Sequence, residues 1–256
     1  VAPNLRHETN ITAPTNASRP LRVSITGKTF EGADGVLVHA IEDIAFEAPA
    51  GSFTTLIGPS GCGKTTALRI VLGLDRHFEG GVSRPDPDGR IAAVFQEPRL
   101  LPWRTVEQNI RLALSAAVEG ENLDDLFAIV GLSEMRGRFP TELSLGLARR
   151  VALARAFAIR PSLLLLDEPF VSLDEMTATR LRRLLIEVWS ARRTTALMVT
   201  HNLREAVHLS DRIIFLTERP STVRGVHVID QPRNERDAEW REAETRRIAD
   251  KFSGVL

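Results

Sequence analysis

The chain has 256 residues, 43% hydrophobic and 26% charged, enough for a substantial core in one large domain or a core with small subdomains. Its 33 basic and 33 acidic residues balance, which argues against nucleic acid or anionic lipid as the main partner. No apolar run approaches the roughly 20 residues a membrane span needs, and the lone Cys62 excludes an internal disulfide framework and suits a reducing compartment.

In chain order, residues 1–20 are rich in Asn, Thr, Pro and Ala without periodicity and read as a flexible leader. Residues 21–29 and 40–46 alternate apolar and polar, with Gly32, Asp34 and Gly35 marking a turn between them, so an antiparallel β layer is predicted there. Phe30 lies in this region, where a ring could stack on adenine; packing in a β core accounts for its spacing equally well.

Residues 52–57 read as a buried strand and residues 66–72 as a helix, and between them runs Gly58, Pro59, Ser60, Gly61, Cys62, Gly63, Lys64, Thr65. This run fits the phosphate-binding loop G-x-x-x-x-G-K-[ST]. Backbone N–H groups wrap a triphosphate only if side chains stay clear, which Gly58, Gly61 and Gly63 ensure. Lys64 supplies a mobile charge for the β- and γ-phosphates, and the Thr65 hydroxyl is placed to ligate Mg²⁺. The helix opening near Thr66 aims its positive end at the same phosphates. Only Lys28, Lys64 and Lys251 are lysines, so a chance match at this composition is improbable. Cys62 reads as a small loop filler.

Residues 79–89 carry Gly80, Gly81, Pro85, Pro87 and Gly89 and are expected to form a loop. Residues 91–95 read as a short strand ending at Gln96. The proline-rich, apolar stretch 98–103 is expected to dock against something. Thr105 and Gln108 fit a capping box opening a helix to about residue 116, and residues 123–130 carry a second helical pattern. Both belong to a small helical insert. Ser144 is a candidate N-cap for a helix over 148–159, and that helix end is a candidate second phosphate site.

Residues 163–166 form a continuous apolar run delivering Asp167 and Glu168 at a strand's C-terminal end, the ligand edge of an α/β sheet. Beside a phosphate loop, Asp167 can hold Mg²⁺ directly or through water, and Glu168 can orient or deprotonate the attacking water. Asp174 opens the next segment, and residues 177–189 read as helical. Residues 195–200 are another buried strand; the His201 that follows reads as a surface or capping residue by itself, while its arrival on the same sheet edge as Lys64 and Asp167 favours sensing of the γ-phosphate. Residues 202–209 read as a helix, 212–216 as a last core strand, and 237–256 as a charged helix packing on its own core.

Taken together, the ordered set resembles the nucleotide-binding subunit of ATP-binding cassette (ABC) transporters from about residue 21 to 216. The phosphate loop matches Walker A, residues 163–168 match Walker B with the catalytic glutamate, and Gln96, Asp174 and His201 match the Q-, D- and H-loops. Residues 143–147 resemble the family signature Leu-Ser-Gly-Gly-Gln. The resemblance implies an α/β fold: a P-loop NTPase, RecA-like core with an N-terminal antiparallel β layer. It divides the chain into a leader (1–20), an ATPase domain (21–230) with a helical subdomain (about 97–158), and a helical tail (231–256). It implies ATP and Mg²⁺ as cofactors, with Gln96 beside Thr65 and Asp167 at the metal, and Ser144, Gly146 and Asp174 meeting nucleotide across a head-to-tail dimer, a homodimer by expectation. Transmembrane permease subunits, a periplasmic or extracellular solute-binding protein and a peripheral place on the cytoplasmic face of the cell membrane follow in the same way, with no nucleic acid. Residues 95–103 are similar to the Q-loop region of importers for nitrate, sulfonates and taurine, which points to a small anion.

Two departures stand out. Leu145 and Leu147 replace the first glycine and the glutamine of the signature; a Leu adopts positive φ poorly, so that turn is expected to be reshaped and turnover slowed or made dependent on a partner. The chain has no tyrosine, which leaves Phe30 as the ring nearest the adenine position. A soluble ABC ATPase of DNA repair or translation would need a long coiled-coil insertion or tandem cassettes, and no repeat or heptad run is present. A weakly catalytic structural subunit would have no chemical need for both Glu168 and His201.

Overall fold

A computed structural model describes residues 19–32, 35–114, 120–192 and 194–254. The predicted leader therefore lies almost wholly outside the described residues. Strands β1 (Leu21–Glu31) and β2 (Leu37–Ala48) pair antiparallel, with Ile25 opposite Ile44. Leu21, Val23 and Ile25 are buried on one face, as their alternation requires.

The parallel layer runs β8 (Arg212–Leu216), β3 (Phe53–Ile57), β7 (Thr195–Thr200), β6 (Leu163–Asp167), β5 (Ile91–Val94). Consecutive residues of β6 serve opposite cores: Leu164 and Leu166 join one cluster with Phe157 and Leu185, whereas Leu163 and Leu165 join another with Leu68 and Val71. Burial on both faces is why this strand reads as an unbroken apolar run.

Two strands depart from the expectations. The glycine-rich stretch expected as a loop holds β4 (Glu79–Ser83), the edge strand paired with β1. Gly80 has φ 121°, and a Cβ there would lie 2.0 Å from the Ser24 carbonyl oxygen. Its glycines permit close backbone approach rather than marking an end to regular structure. Residues 212–216 are not the last strand either: β9 (Ser221–Val228) runs antiparallel to β8 and begins parallel to β2. It thereby joins the two layers into one sheet, ordered β4-β1-β2-β9-β8-β3-β7-β6-β5.

Helix α1 (Lys64–Leu72) follows β3. Helix α2 (Val106–Arg111) opens with the predicted capping box of Thr105 and Gln108, but ends before residue 116. The bonds tighten to three-residue spacing, from Ala113 N to Ile110 O at 3.3 Å and from Leu114 N to Arg111 O at 2.9 Å. After α3 (Asp124–Ile129) comes α4 (Leu145–Ala158), capped by Ser144, whose hydroxyl accepts from Leu147 N at 3.3 Å. Leu145 is therefore the first helical residue, and positive φ is not found there. The anticipated reshaping of this turn does not arise, because the position is right-handed and accepts a leucine.

Helices α5 (Glu175–Arg192) and α6 (Leu203–Leu209) flank β7, and α7 (Ala238–Lys251) packs on the core as expected. Ile248 is fully buried and Phe252 stacks on Phe215 with ring centroids 3.9 Å apart. No helix among the described residues is long and apolar enough to cross a membrane.

Candidate functional site

The site is built where three parallel strands stop together. Ile57 is level with Thr200, and Asp167 with Val199, so the phosphate loop, the carboxylate pair and His201 leave the sheet along one edge.

The loop turns into α1 at Gly63, whose φ of 105° no β-carbon-bearing residue adopts easily. Lys64 is buried and donates from Nζ to the carbonyls of Gly58 (2.7 Å) and Pro59 (2.8 Å), with Cys62 Sγ at 3.9 Å. This ammonium, held by loop carbonyls beside an open site, makes no bond to a carboxylate among the described residues. Burial pushes the Cys62 thiol above its usual range, so the lone cysteine stays protonated despite Lys64 nearby. A cavity of ≈ 390 Å³ opens over this loop, lined by Ser60, Gly61, Gly63, Lys64, Thr65 and Thr66 below, with Phe30, Ala40, Glu168 and Arg219 around it.

Phe30 is 40% exposed, so it is not a packed core ring; Lys28 Nζ stands 4.5 Å from the ring centroid. Lys28 is itself neutralised by Asp75 at 2.9 Å.

Thr65 donates from Oγ1 to Asp167 Oδ1 at 3.1 Å, which brings the two expected metal ligands into contact. Burial raises the Asp167 carboxyl above the ordinary range, opposed by that hydrogen bond and aided by the Glu168 charge. Glu168 has φ 45°, an uncommon conformation for a residue with a side chain, which turns its carboxylate out of the strand line. Its Oε2 lies 3.2 Å from His201 Nδ1. The turn bearing His201 is held from below: Thr200 donates to buried Glu205 at 2.8 Å, and Asn202 caps α6 by accepting from Arg204 N and Glu205 N.

Not every expected residue is in this cavity. Gln96 is exposed, two residues past β5 and outside the lining. Ser144 and Gly146 begin α4, and Asp174 caps α5 by accepting from Thr177 N at 3.0 Å; none of the three lines the cavity. Residue-by-residue reading missed Arg219, which donates from Nη2 and Nε to the Gly61 carbonyl at 2.9 and 3.2 Å. Nothing local in the sequence flags it, because the loop after β8 meets the phosphate loop only through the sheet.

A phosphate loop and a carboxylate-ended parallel strand on the same sheet edge define a phosphate-loop nucleotide-binding protein. Within that class the chain belongs to the ABC transporter family of ATPases: the family profile described as ABC transporter matches residues 41–171. Among curated relatives, the aliphatic sulfonates import ATP-binding protein SsuB of Bacillus anthracis is 39% identical over 218 residues, covering 82% of this chain and 87% of that protein. SsuB 1 of Pseudomonas savastanoi pv. phaseolicola is 41% identical over 203 residues, covering 79% and 83%. The bicarbonate transport ATP-binding protein CmpC of Synechocystis is 44% identical over 221 residues, 80% of this chain but 33% of that longer protein. A dimeric bacterial ABC transporter cassette superposes with a TM-score of 0.69 at 26% identity, over 83% of this chain and all of that one. The same cassette, in a post-hydrolysis state bound to ADP and Pi, superposes equally well.

Proposed function

We propose that this chain is the ATP-hydrolysing subunit of an importer for a small anion such as a sulfonate, taurine or nitrate. The observation that carries the catalytic part is the 3.2 Å contact of Glu168 with His201 beside the cavity over the Lys64 loop. The solute class rests on likeness to sulfonate and bicarbonate relatives and on the stretch around Gln96.

Lys64 leaves its loop carbonyls for the β- and γ-phosphates, while the loop N–H groups and the α1 dipole face the same oxygens. Phe30 offers a ring to the adenine base. Glu168 Oε accepts the proton of the attacking water, and His201 fixes that carboxylate and meets the γ-phosphate. A Mg²⁺ ion fits Thr65 and Asp167: the Thr65 hydroxyl meets the buried carboxylate at 3.1 Å, so both oxygens lie at one point beside the phosphate loop. Among the described residues no three His, Cys, Asp or Glu cluster as a metal cage, which suits an ion that keeps water and phosphate oxygens and takes few protein ligands. Thr65 and Asp167, with Gln96 as a further proposed ligand, would hold the ion, which would supply charge neutralisation at the phosphates.

Ser144, Gly146 and Asp174 lie away from the chain's own cavity, so their proposed contact is with the ATP of a second copy facing head to tail. That γ-phosphate would join two subunits, and its loss would release them. Permease subunits would dock at Gln96 and the stretch to Trp103, a residue that is 69% exposed. A solute-binding protein on the far side and a peripheral place on the cytoplasmic face of the cell membrane complete the reading.

The test is steady-state ATP hydrolysis by wild type and Glu168→Gln. The variant is expected to bind ATP normally, lose turnover by roughly 10²-fold or more and accumulate an ATP-bound dimer on size exclusion. Undiminished turnover would remove Glu168 from its role.

A further inference from the structure

A second cavity, ≈ 820 Å³ and larger than the one over the phosphate loop, lies between α5, α6 and α7. Four guanidinium groups line it, those of Arg182, Arg183, Arg204 and Arg241, against two carboxylates, Glu175 and Glu242. Both carboxylates are already engaged. Arg182 donates to Glu175 Oε1 at 2.5 Å, and Arg204 stands 3.0 Å from Glu242 Oε2.

Among the described residues the other two cations have no ion-pair partner. Arg241 meets His208 Nδ1 at 2.9 Å. Burial, with Arg241 adding to it, holds His208 down to about 4, so at neutral pH the imidazole accepts a hydrogen bond without supplying charge. Arg183 is exposed and has no ion pair or hydrogen bond among the described residues. The groove thus presents planar donor forks with a surplus of two positive charges, in a chain whose formal charge is zero. Guanidinium forks match two oxygens of a sulfonate, sulfate or phosphate group at once.

We propose that this groove is a binding site for a small oxyanion, held by Arg241 and Arg183, and that its occupancy modulates ATP hydrolysis. The coupling follows from chain connectivity. Asn202 lines the groove and is the residue after His201, and Glu175 lines it and is the residue after Asp174. A ligand drawing α5 toward α7, which Arg241–His208 and Arg204–Glu242 tie to α6, therefore acts on the turns that open α5 and α6 and carry those groups. The site stands whether or not the transported solute is a sulfonate.

The phosphate loop also binds oxyanions, so calorimetry is done with sulfate and methanesulfonate on Lys64→Ala, against chloride at matched ionic strength. One equivalent is expected to bind. In Lys64→Ala/Arg183→Glu, affinity should fall at least about tenfold, as for loss of a charge-assisted pair, with the melting point unchanged because Arg183 is exposed. Tighter methanesulfonate binding would mark an organic sulfonate as ligand, and tighter sulfate an inorganic one. In otherwise wild-type protein the anion should change ATP turnover about twofold or more at saturating ATP, and Arg183→Glu should remove that response. The proposal fails if Lys64→Ala abolishes all oxyanion binding, if chloride reproduces it, if Arg183→Glu binds as before, or if turnover responds identically in both chains.

Discussion

Asp167 sits where the fold resists the ionised form that its proposed role at a metal ion requires. Its folded pKa is raised above the unfolded value of 3.8 by burial, so the stabilising, protonated state is fully present only below that value. Its contribution is lost as pH rises through the folded pKa. The nucleotide-free chain should therefore lose stability with rising pH over that range. Asp167→Asn should remove this dependence and raise stability by about 1 kcal/mol at neutral pH, while turnover falls at least roughly 100-fold. Thermal melts at several pH values beside an ATPase assay check both halves.

Arg219 calls for the opposite pattern. It is exposed, yet it holds the Gly61 carbonyl and borders the nucleotide cavity. Arg219→Ala should weaken ATP binding by about 3- to 10-fold, the loss of about 1 kcal/mol for one solvent-exposed contact, with the melting temperature almost unmoved; calorimetry against melting separates the two.

At the scale of elements, α4 grips both loops that flank the carboxylates. Its buried Arg149 donates to the carbonyls of Pro169 and Val171, just past Glu168, and its Arg155 donates to Pro98 and Arg99 at 2.8 and 2.9 Å, just past Gln96. The helix that carries Ser144 is thus mechanically tied to the turn after Glu168 and to the proposed docking stretch. Helix α7 has a different task, closing the core beside β8. Phe252→Ala removes the ring stacked on Phe215 and should cost about 3 kcal/mol, lowering the urea midpoint. Wild-type turnover should persist under native conditions, because neither ring lines the nucleotide cavity.

For the whole molecule, the separation of Ser144 from the Lys64 cavity sets a test of the proposed site shared between two copies. Ser144→Ala should leave ATP affinity of the isolated chain within about twofold, since its own cavity is intact, but lower turnover at least roughly tenfold. The lost cap on α4 should add about 1 kcal/mol of destabilisation. Binding measured by calorimetry beside turnover distinguishes a residue serving a second copy's nucleotide from one serving its own.

The sequence by itself determined the parts whose signals are local. The glycine spacing around Lys64 dictates a loop open to phosphate, the unbroken run of β6 dictates burial on both faces, and Thr105 with Gln108 dictates a helix start, because each depends on residues a few positions apart. The tertiary structure alone decided what depends on distant pairing. Gly80 reads as a loop until Ser24 lies against it, and β9 has no place until β2 and β8 leave a gap for it. Arg219 lies 158 positions from the Gly61 carbonyl it holds. The excess charge between α5, α6 and α7 vanishes in a balanced composition and emerges only when three helices turn their arginines into one groove. Backbone conformation is set by neighbours in the chain; strand order, counter-charge and the reach of a guanidinium are set by neighbours in space.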